Sequence, residues 1–496
     1  MAPVNHRRLP TNPVKPVTQL QPAPLAQSAA CAQLAQQVQS ARSAWPAGPR
    51  LQRGSATRTL LFGVAVVAVI AAAVGAWLVM GPGPMDFAGG KHGAPGSSST
   101  GVPAELANAS LIQKGEYLAR AADCQACHST EGGQPFAGGR PFVLPFGTMY
   151  STNITPDKKT GIGEYTDAEF IRALHQGIGR DGTRFYPAMP YASYTYMTDD
   201  DALAIKAYLF SLQPVDAPRP TNTLSFPFNQ RWLMSFWSAF FNPDKRFAPN
   251  TERSAEWNRG AYLAEAMAHC GECHTPRNLA FSLDNRKKFA GAKQAGWVAY
   301  NISSDKQSGI GEWSPAEVAQ YISKGHAQGR GTADGPMGEA VEYSLRYLTQ
   351  SDISALASYV ASVPPTVSKD HPVVKNAAAP HDHNMGVAAS IDPRGKEVYE
   401  GACVSCHGWS GESPILPYAN LTGARAVNDP TATNVVQIVL SGSGHGNGSF
   451  YMPDFGNAYS DTEIAAVANY VTARFGTEPS NLTAANVADL RKEVSK

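Results

Sequence analysis

Cysteine is scarce in this chain. Of seven residues, six fall into three Cys-x-x-Cys pairs and only Cys31 is left over, so no framework of structural disulfides is available. Acid is missing altogether from residues 1 to 58, which carry Arg7, Arg8, Lys15, Arg42, Arg50, Arg53 and Arg58 but no Asp or Glu. Charge is thin over the whole chain: 16% of residues are charged and the formal net is +1, which gives no reason to expect a nucleic-acid partner or bulk electrostatic adhesion to a membrane. There is no glycine fingerprint following a strand, no P-loop and no nucleophile elbow. The chain therefore lacks a recognisable place to oxidise an organic substrate, and no catalytic residue is expected in it.

What is present is one pentapeptide three times over: Cys124-Gln125-Ala126-Cys127-His128, Cys270-Gly271-Glu272-Cys273-His274 and Cys403-Val404-Ser405-Cys406-His407. Two thiols three positions apart can add to the two vinyl groups of one haem, and the histidine after the second thiol meets the iron. A single Cys-x-x-Cys is equally a zinc knuckle or a redox dithiol. Three copies, each with its histidine, point to three haem c groups held through Cys124, Cys127, Cys270, Cys273, Cys403 and Cys406.

Each pentapeptide opens a repeat. Lys114-Gly115-Glu116-Tyr117-Leu118-Ala119, Arg259-Gly260-Ala261-Tyr262-Leu263-Ala264 and Arg394-Gly395-Lys396-Glu397-Val398-Tyr399 precede the motifs. Asn153-Ile154-Thr155, Asn301-Ile302-Ser303 and Asn420-Leu421-Thr422 follow them, as do Gly161-Ile162-Gly163-Glu164-Tyr165 and Gly309-Ile310-Gly311-Glu312-Trp313. Thr198, Thr349 and Ser460, each with acids in the next turn, are N-cap signals for a closing helix. A haem helix, a wrapping loop and a closing helix make an all-α module. The modules are expected at 105–215, 251–366 and 390–477, with an aromatic segment at 216–250, linkers at 81–104 and 367–389, and a tail helix at 478–496.

A second strong axial ligand closes a haem for electron transfer. Met189 in Tyr-Pro-Ala-Met-Pro, Met337 in Gly-Pro-Met-Gly and Met452 in Phe-Tyr-Met-Pro recur between wrapping loop and closing helix, so the expected iron ligands are His128 with Met189, His274 with Met337 and His407 with Met452. A methionine in an apolar stretch is otherwise core filler. His175, His326 and His445 are rival ligands, with a polar loop role as their alternative. The proximal imidazole needs a carbonyl for its other N–H. Pro145 and Pro417 lie where such a loop should pass under the first and third haems, and Ala295-Gly296-Trp297 stands there in module two, so three distinguishable potentials are expected. The aromatic run Asn229–Phe241 reads either as a surface meeting membrane interface, quinone or a partner subunit, or as packing between modules.

Leu60–Met80 is 21 residues without a charge, long enough to cross a hydrocarbon core of about 30 Å. With the basic and disordered tail 1–58 on its cytoplasmic side, residues 59–80 read as an anchor that puts all three motifs in the periplasm. A signal peptide cut near Ala73-Val74-Gly75-Ala76 is the other reading. Haem attachment on the outer side of a bacterial cytoplasmic membrane suits either one.

Over roughly residues 105 to 477 the chain resembles the triheme cytochrome c subunits of membrane-bound dehydrogenases of acetic acid bacteria and their relatives. The motifs that carry this are the three haem sites, Tyr150-Ser151-Thr152-Asn153-Ile154-Thr155-Pro156-Asp157, Tyr186-Pro187-Ala188-Met189-Pro190-Tyr191 and His274-Thr275-Pro276-Arg277-Asn278. The resemblance implies three tandem class I-like cytochrome c domains on the periplasmic face of the inner membrane. It also implies a catalytic partner subunit of molybdopterin, quinoprotein or flavoprotein type, a small subunit as a further partner, and ubiquinone as electron acceptor. Two departures stand out. The N-terminus is longer than the cleavable signal of alcohol dehydrogenase subunits, and Gly325–Gly331 is more similar to subunits serving molybdopterin aldehyde dehydrogenases. The alternative functions are a free-standing tethered cytochrome feeding a terminal oxidase and a haem peroxidase.

Overall fold

The computed structural model describes residues 56–80, 102–242, 244–367, 388, 392–444 and 452–494 of the 496. Cys31, His445 and most of the expected N-terminal tail 1–58 and of the linkers 81–104 and 367–389 lie outside them. The chain divides into two units, Met1–Ala72 and Ala73–Lys496. Helix α1 runs Ala56–Met80, and its side chains are described from Gly63 to Gly75, where Val64, Val67, Val69 and Ile70 are exposed. Among the described residues no helix is long and apolar enough to cross a membrane.

Module one is built from α2 (Leu111–Ala121), α3 (Cys124–His128), α4 (Asp167–Gln176), α5 (Tyr191–Tyr194) and α6 (Asp199–Ser211). The aromatic segment forms α7 (Leu233–Phe241). Module two follows with α8 (Ala255–Tyr262), α9 (Gly271–His274), α10 (Pro315–Lys324), α11 (Gly335–Tyr343) and α12 (Gln350–Ala361). Module three has α13 (Pro393–Val398), α14 (Val404–His407), α15 (Thr433–Ser441) and α16 (Asp461–Phe475), and α17 (Ala484–Val494) follows it. Thr198, Thr349 and Ser460 cap the closing helices as their sequences require, each accepting from the backbone N–H three residues on.

One crossing recurs in every module. The first helix presents Gly115, Gly260 or Gly395 to the closing helix, where an added Cβ would collide with the carbonyl of Ala204, Ala355 or Ala466. Only a residue without a side chain lets the two helix backbones approach so closely. That contact sets how closely each first helix crosses its closing helix.

The expected all-α class needs a correction. Three antiparallel ribbons are present, β1 (Pro141–Leu144) with β2 (Gly147–Tyr150), β3 (Ala292–Gln294) with β4 (Trp297–Ala299), and β5 (His326–Ala327) with β6 (Gly331–Thr332). In the second, Ala295 (φ 46°) and Gly296 (φ 81°) both take positive φ, as the tight two-residue hairpin turn favoured by strand twist demands. The wrapping loops thus satisfy their backbone groups partly through hairpins, and the fold is mostly helical with short strands.

Modules one and two share a single apolar core that includes Leu118, Tyr196, Met197, Leu263, Met267 and Leu356. Module three has its own around Tyr399, Val436, Ile464 and Tyr470.

Candidate haem-binding centres

Each pentapeptide sits on a short helix at the end of its module's first helical segment. In modules two and three a wide π turn, Leu263–Met267 and Tyr399–Cys403, comes just before or into the first cysteine. Such turns concentrate at functional sites. Module one instead breaks at Asp123, in left-handed conformation with φ 52°.

The three histidines are held alike. Nδ1 of His128 lies 2.6 Å from the Thr152 carbonyl, that of His274 2.7 Å from the Tyr300 carbonyl, and that of His407 2.6 Å from the Ala419 carbonyl. A carbonyl only accepts, so Nδ1–H donates and the neutral ring keeps the lone pair of Nε2 for a metal. Burial favours this neutral form: it lowers the proton affinity of His128 and His407, and pulls His274 down to about 4 despite the bond to Tyr300.

The acceptor lies beside its proline in module three and away from the expected stretch in modules one and two. Pro145 and Ala295-Gly296 occupy hairpin turns, and Pro417 opens the short turn Pro417–Ala419 whose last residue supplies the acceptor. The acceptor in every module is the residue just before the repeated Asn, a signal the sequence carried in plain view. Asn153 explains why: its Nδ2 donates to Thr160 Oγ1 (3.0 Å) and Val215 O (2.7 Å), and its Oδ1 accepts from Thr155 N (2.9 Å). Asn301 repeats the pattern with Ser308 (3.0 Å), Thr366 (2.7 Å) and Ser303 (2.8 Å). Asn420 accepts from Ser413 N at 2.7 Å. The asparagine locks the loop, and the locked loop aims the preceding carbonyl at the imidazole.

A redox dithiol works through a depressed pKa, and desolvation of these thiols acts in the opposite direction. Burial pushes Cys124, Cys127 and Cys270 up to about 12, and Cys273 and Cys403 up to about 11. Among the described residues no group of three or more His, Cys, Asp or Glu is placed to hold a metal ion.

A continuous cavity of about 2510 Å³ is lined by Cys127 of module one, by Cys270, Cys273, His274 and Met337 of module two, and by Cys403, Cys406, His407 and Met452 of module three. That is well beyond the ~300–1,000 Å³ of an ordinary small-ligand pocket and leaves room for more than one large planar group. Met337 stands in the first turn of α11, and Met452 is bridged to Ser443 by paired backbone hydrogen bonds of 2.7 and 3.0 Å. Met189 packs against the joint core of modules one and two, outside that lining.

The rival histidines lie elsewhere. His175 is 1% exposed in the last turn of α4, with Asp199 Oδ1 3.7 Å from its Nδ1, and burial pulls it down to about 3. His326 Nδ1 lies 3.0 Å from Thr332 Oγ1, and its ring centroid is 4.6 Å from that of Tyr418 in module three. Neither ring lines the cavity.

Residues 112–213 match the family described as cytochrome c, and residues 392–471 match cytochrome c oxidase, cbb3-type, subunit III. The chain is 37% identical over 413 residues to the gluconate 2-dehydrogenase cytochrome c subunit of Pantoea cypripedii, covering 78% of this chain and 91% of that one. It is 38% identical over 404 residues to the fructose dehydrogenase cytochrome subunit of Gluconobacter japonicus, covering 77% and 82%. It is 35% identical over 400 residues to the cytochrome c subunit of the quinone alcohol dehydrogenase of Gluconacetobacter polyoxogenes, covering 78% and 85%. The chain belongs to the cytochrome c subunits of dehydrogenases. Its cytochrome c domains bind haem c; the paired thiols and oriented imidazoles fit that group in every module, and the cavity does so in modules two and three, while Cys124, His128 and Met189 lie outside its lining.

The aromatic segment packs between modules one and two and also leaves an exposed apolar face. Inward, Trp237 Nε1 donates to Ala280 O at 2.8 Å and its ring meets Tyr191 edge-on at 5.7 Å, so α7 clamps module one to module two. Outward, Trp232, Phe236 and Phe240 are exposed, beside exposed Phe226, Phe228, Leu279 and Phe281.

Proposed function

We propose that the chain carries three covalent haem c groups, at Cys124/Cys127, Cys270/Cys273 and Cys403/Cys406. Their axial pairs are His128 with Met189, His274 with Met337 and His407 with Met452. The chain moves electrons from a periplasmic dehydrogenase subunit to ubiquinone in the bacterial cytoplasmic membrane. Haem c supplies one-electron iron chemistry, and the protein fixes ligands, polarity and spacing. The observation that carries this is the shared cavity: the thiols, histidines and methionines of modules two and three face one space that Cys127 of module one also borders, an arrangement suited to a short internal electron route. In this reading Leu60–Met80 is the membrane anchor, and the exposed aromatics around α7, which border the same cavity, meet the membrane interface and the quinone. The partner's cofactor is of molybdopterin, quinoprotein or flavin type.

The test begins with gentle solubilisation of the membrane-bound protein, a haem count, and addition of alcohols, aldehydes and sugar acids to whatever copurifies. Haem reduction by one substrate class, followed by reduction of a ubiquinone analogue, is expected. The ligand set is tested separately: Met189→Ala, Met337→Ala and Met452→Ala should each open one iron to carbon monoxide and lower that centre's potential, since an axial methionine raises it. A variant that binds no carbon monoxide sinks that residue's assignment. The match of residues 392–471 to an oxidase subunit favours a second reading, a tethered carrier feeding a terminal oxidase. A protein that purifies without a dehydrogenase, and whose haems are oxidised by an oxidase but not by quinone, would establish that instead.

A further inference from the structure

One buried cation belongs to module three by sequence and to module two by position. Arg425 lies in the turn-rich stretch between Leu421 and Asp429, and its side chain crosses to the loop that orients His274. Its Nη1 donates to the Asn301 carbonyl at 2.9 Å and its Nη2 to the Ser308 carbonyl. The guanidinium carbon stands 5.1 Å from the centroid of the Tyr300 ring, and Tyr300 is the residue whose carbonyl receives His274 Nδ1–H. The Tyr300 hydroxyl is held in turn by Asp429 of module three at 3.3 Å. Nε of Arg425 is buried without a hydrogen-bond partner, and the residue lines the same cavity as Cys270, His274 and Met337. Burial pulls the guanidinium down to about 10, which leaves it charged at neutral pH.

Resting on the three-haem reading, we infer that Arg425 is a positioning residue of the middle centre. It reaches across from module three, pins the Tyr300–Asn301 loop that orients His274, and fixes a positive charge that raises the middle haem's reduction potential. Reduction removes one positive charge from the iron, so a fixed cation in a low-dielectric site favours the reduced form. Module three thereby tunes a haem it does not carry.

The test is a redox titration of the full chain, with haem content per chain measured first. A parent chain without haem at Cys270 and Cys273 sinks the three-haem reading and this inference with it. In Arg425→Gln, which keeps a donor and loses the charge, all three haems are expected to remain. The middle haem's reduction constant should fall at least tenfold, ~59 mV for a one-electron couple, with the outer two shifting by less than half as much. Arg425→Lys should recover more than half of the loss. An unchanged middle potential in Arg425→Gln, or an equal shift of all three, overturns the inference. Should Arg425→Gln fail to take up its haems, Arg425→Lys decides alone. Its displaced ammonium should shift the middle reduction constant at least twofold while the outer two stay, and three potentials moving together or none moving overturns the proposal.

Discussion

Modules one and two are fused; module three is docked. The difference traces to one position of the repeat. Two residues after the crossing glycine, modules one and two carry Tyr117 and Tyr262, and module three carries Glu397. Each tyrosine reaches into the other module: Tyr117 donates to Asp352 at 2.5 Å, and Tyr262 donates to Asp201 at 2.5 Å. The two aspartates stand three residues after the caps Thr349 and Thr198, so the residue whose backbone N–H the cap receives also supplies the carboxylate of a reciprocal clamp between modules. In module three that position is Glu463, whose longer side chain curls back to Ser460 N at 2.8 Å as a capping box. Module three meets module two through polar zips instead, with Asn434 pairing both backbone groups of Val298 (2.8 and 2.9 Å) and Gln437 reaching Gly296 O (3.2 Å). A buried Tyr–Asp exchange makes one core of two repeats, and its absence leaves the third with a core of its own.

The largest effect should come from Asp352. Arg259 pairs with it at 2.7 and 2.8 Å, and Asp352 is 1% exposed. Removing one partner of a buried ion pair costs ~3–5 kcal/mol, because the other charge stays desolvated. Asp352→Ala should therefore destabilise modules one and two together by about that much in a denaturant titration. Glu463→Ala, which leaves the Ser460 cap in place and removes only the exposed return half of the capping box, should cost module three far less. Equal losses would mean that the clamp does not distinguish the two regions.

Acid sharpens the same contrast. His175 in the fused pair has a folded pKa of about 3, below the ~6.5 of an unfolded histidine. Its stabilising effect is complete above that unfolded value and is lost as pH falls toward 3, since the unfolded chain binds the proton more readily. By pH 4 the loss should approach ~3 kcal/mol, at ~1.4 kcal/mol per tenfold in proton affinity. The groups facing the ring are Asp199 and Arg246. Unfolding curves from pH 7 to 4 should show the fused pair weakening, and His175→Phe should flatten that dependence. An unflattened curve would place the acid sensitivity elsewhere.

The helix crossings supply a control that ignores the fusion. Gly260→Ala and Gly395→Ala both force a methyl into a backbone carbonyl, and overpacking of this kind costs ~1–3 kcal/mol. Each should weaken its own core by a similar amount, with haem uptake falling in that module. A large difference between the two would show that the fused core absorbs strain the separate core cannot.

Much of this was legible in the chain because it repeats. Caps, first helices and haem motifs are local patterns, and three copies removed the ambiguity of one. What escaped was long-range. Nothing beside Tyr117 announces a partner 235 residues away at Asp352, and nothing around Arg425 says that its guanidinium lies behind the loop of another module. Lys288 and Glu265, buried as a pair with Tyr359 Oη 2.6 Å from the carboxylate, also read as ordinary surface residues until the fold brings them together. The carbonyls at Thr152, Tyr300 and Ala419 were findable, since each precedes the repeated asparagine. A proline marked the loop in module three alone, because a backbone acceptor can come from any residue that a locked loop holds in place.

The smallest expected effect concerns module three alone. Tyr399 is fully buried and donates to Gly408 O at 2.6 Å, one residue past His407, while its ring packs on Tyr470 and Phe475 at 5.4 and 5.5 Å. This tyrosine closes inward on its own haem motif, where Tyr117 and Tyr262 reach outward. Tyr399→Phe keeps the ring and loses one hydrogen bond, so ~0.5–1.5 kcal/mol should go from module three and nothing from the fused pair. A loss shared by all three modules would mean that module three is not independent. A loss confined to it would establish that its stability is set within its own repeat.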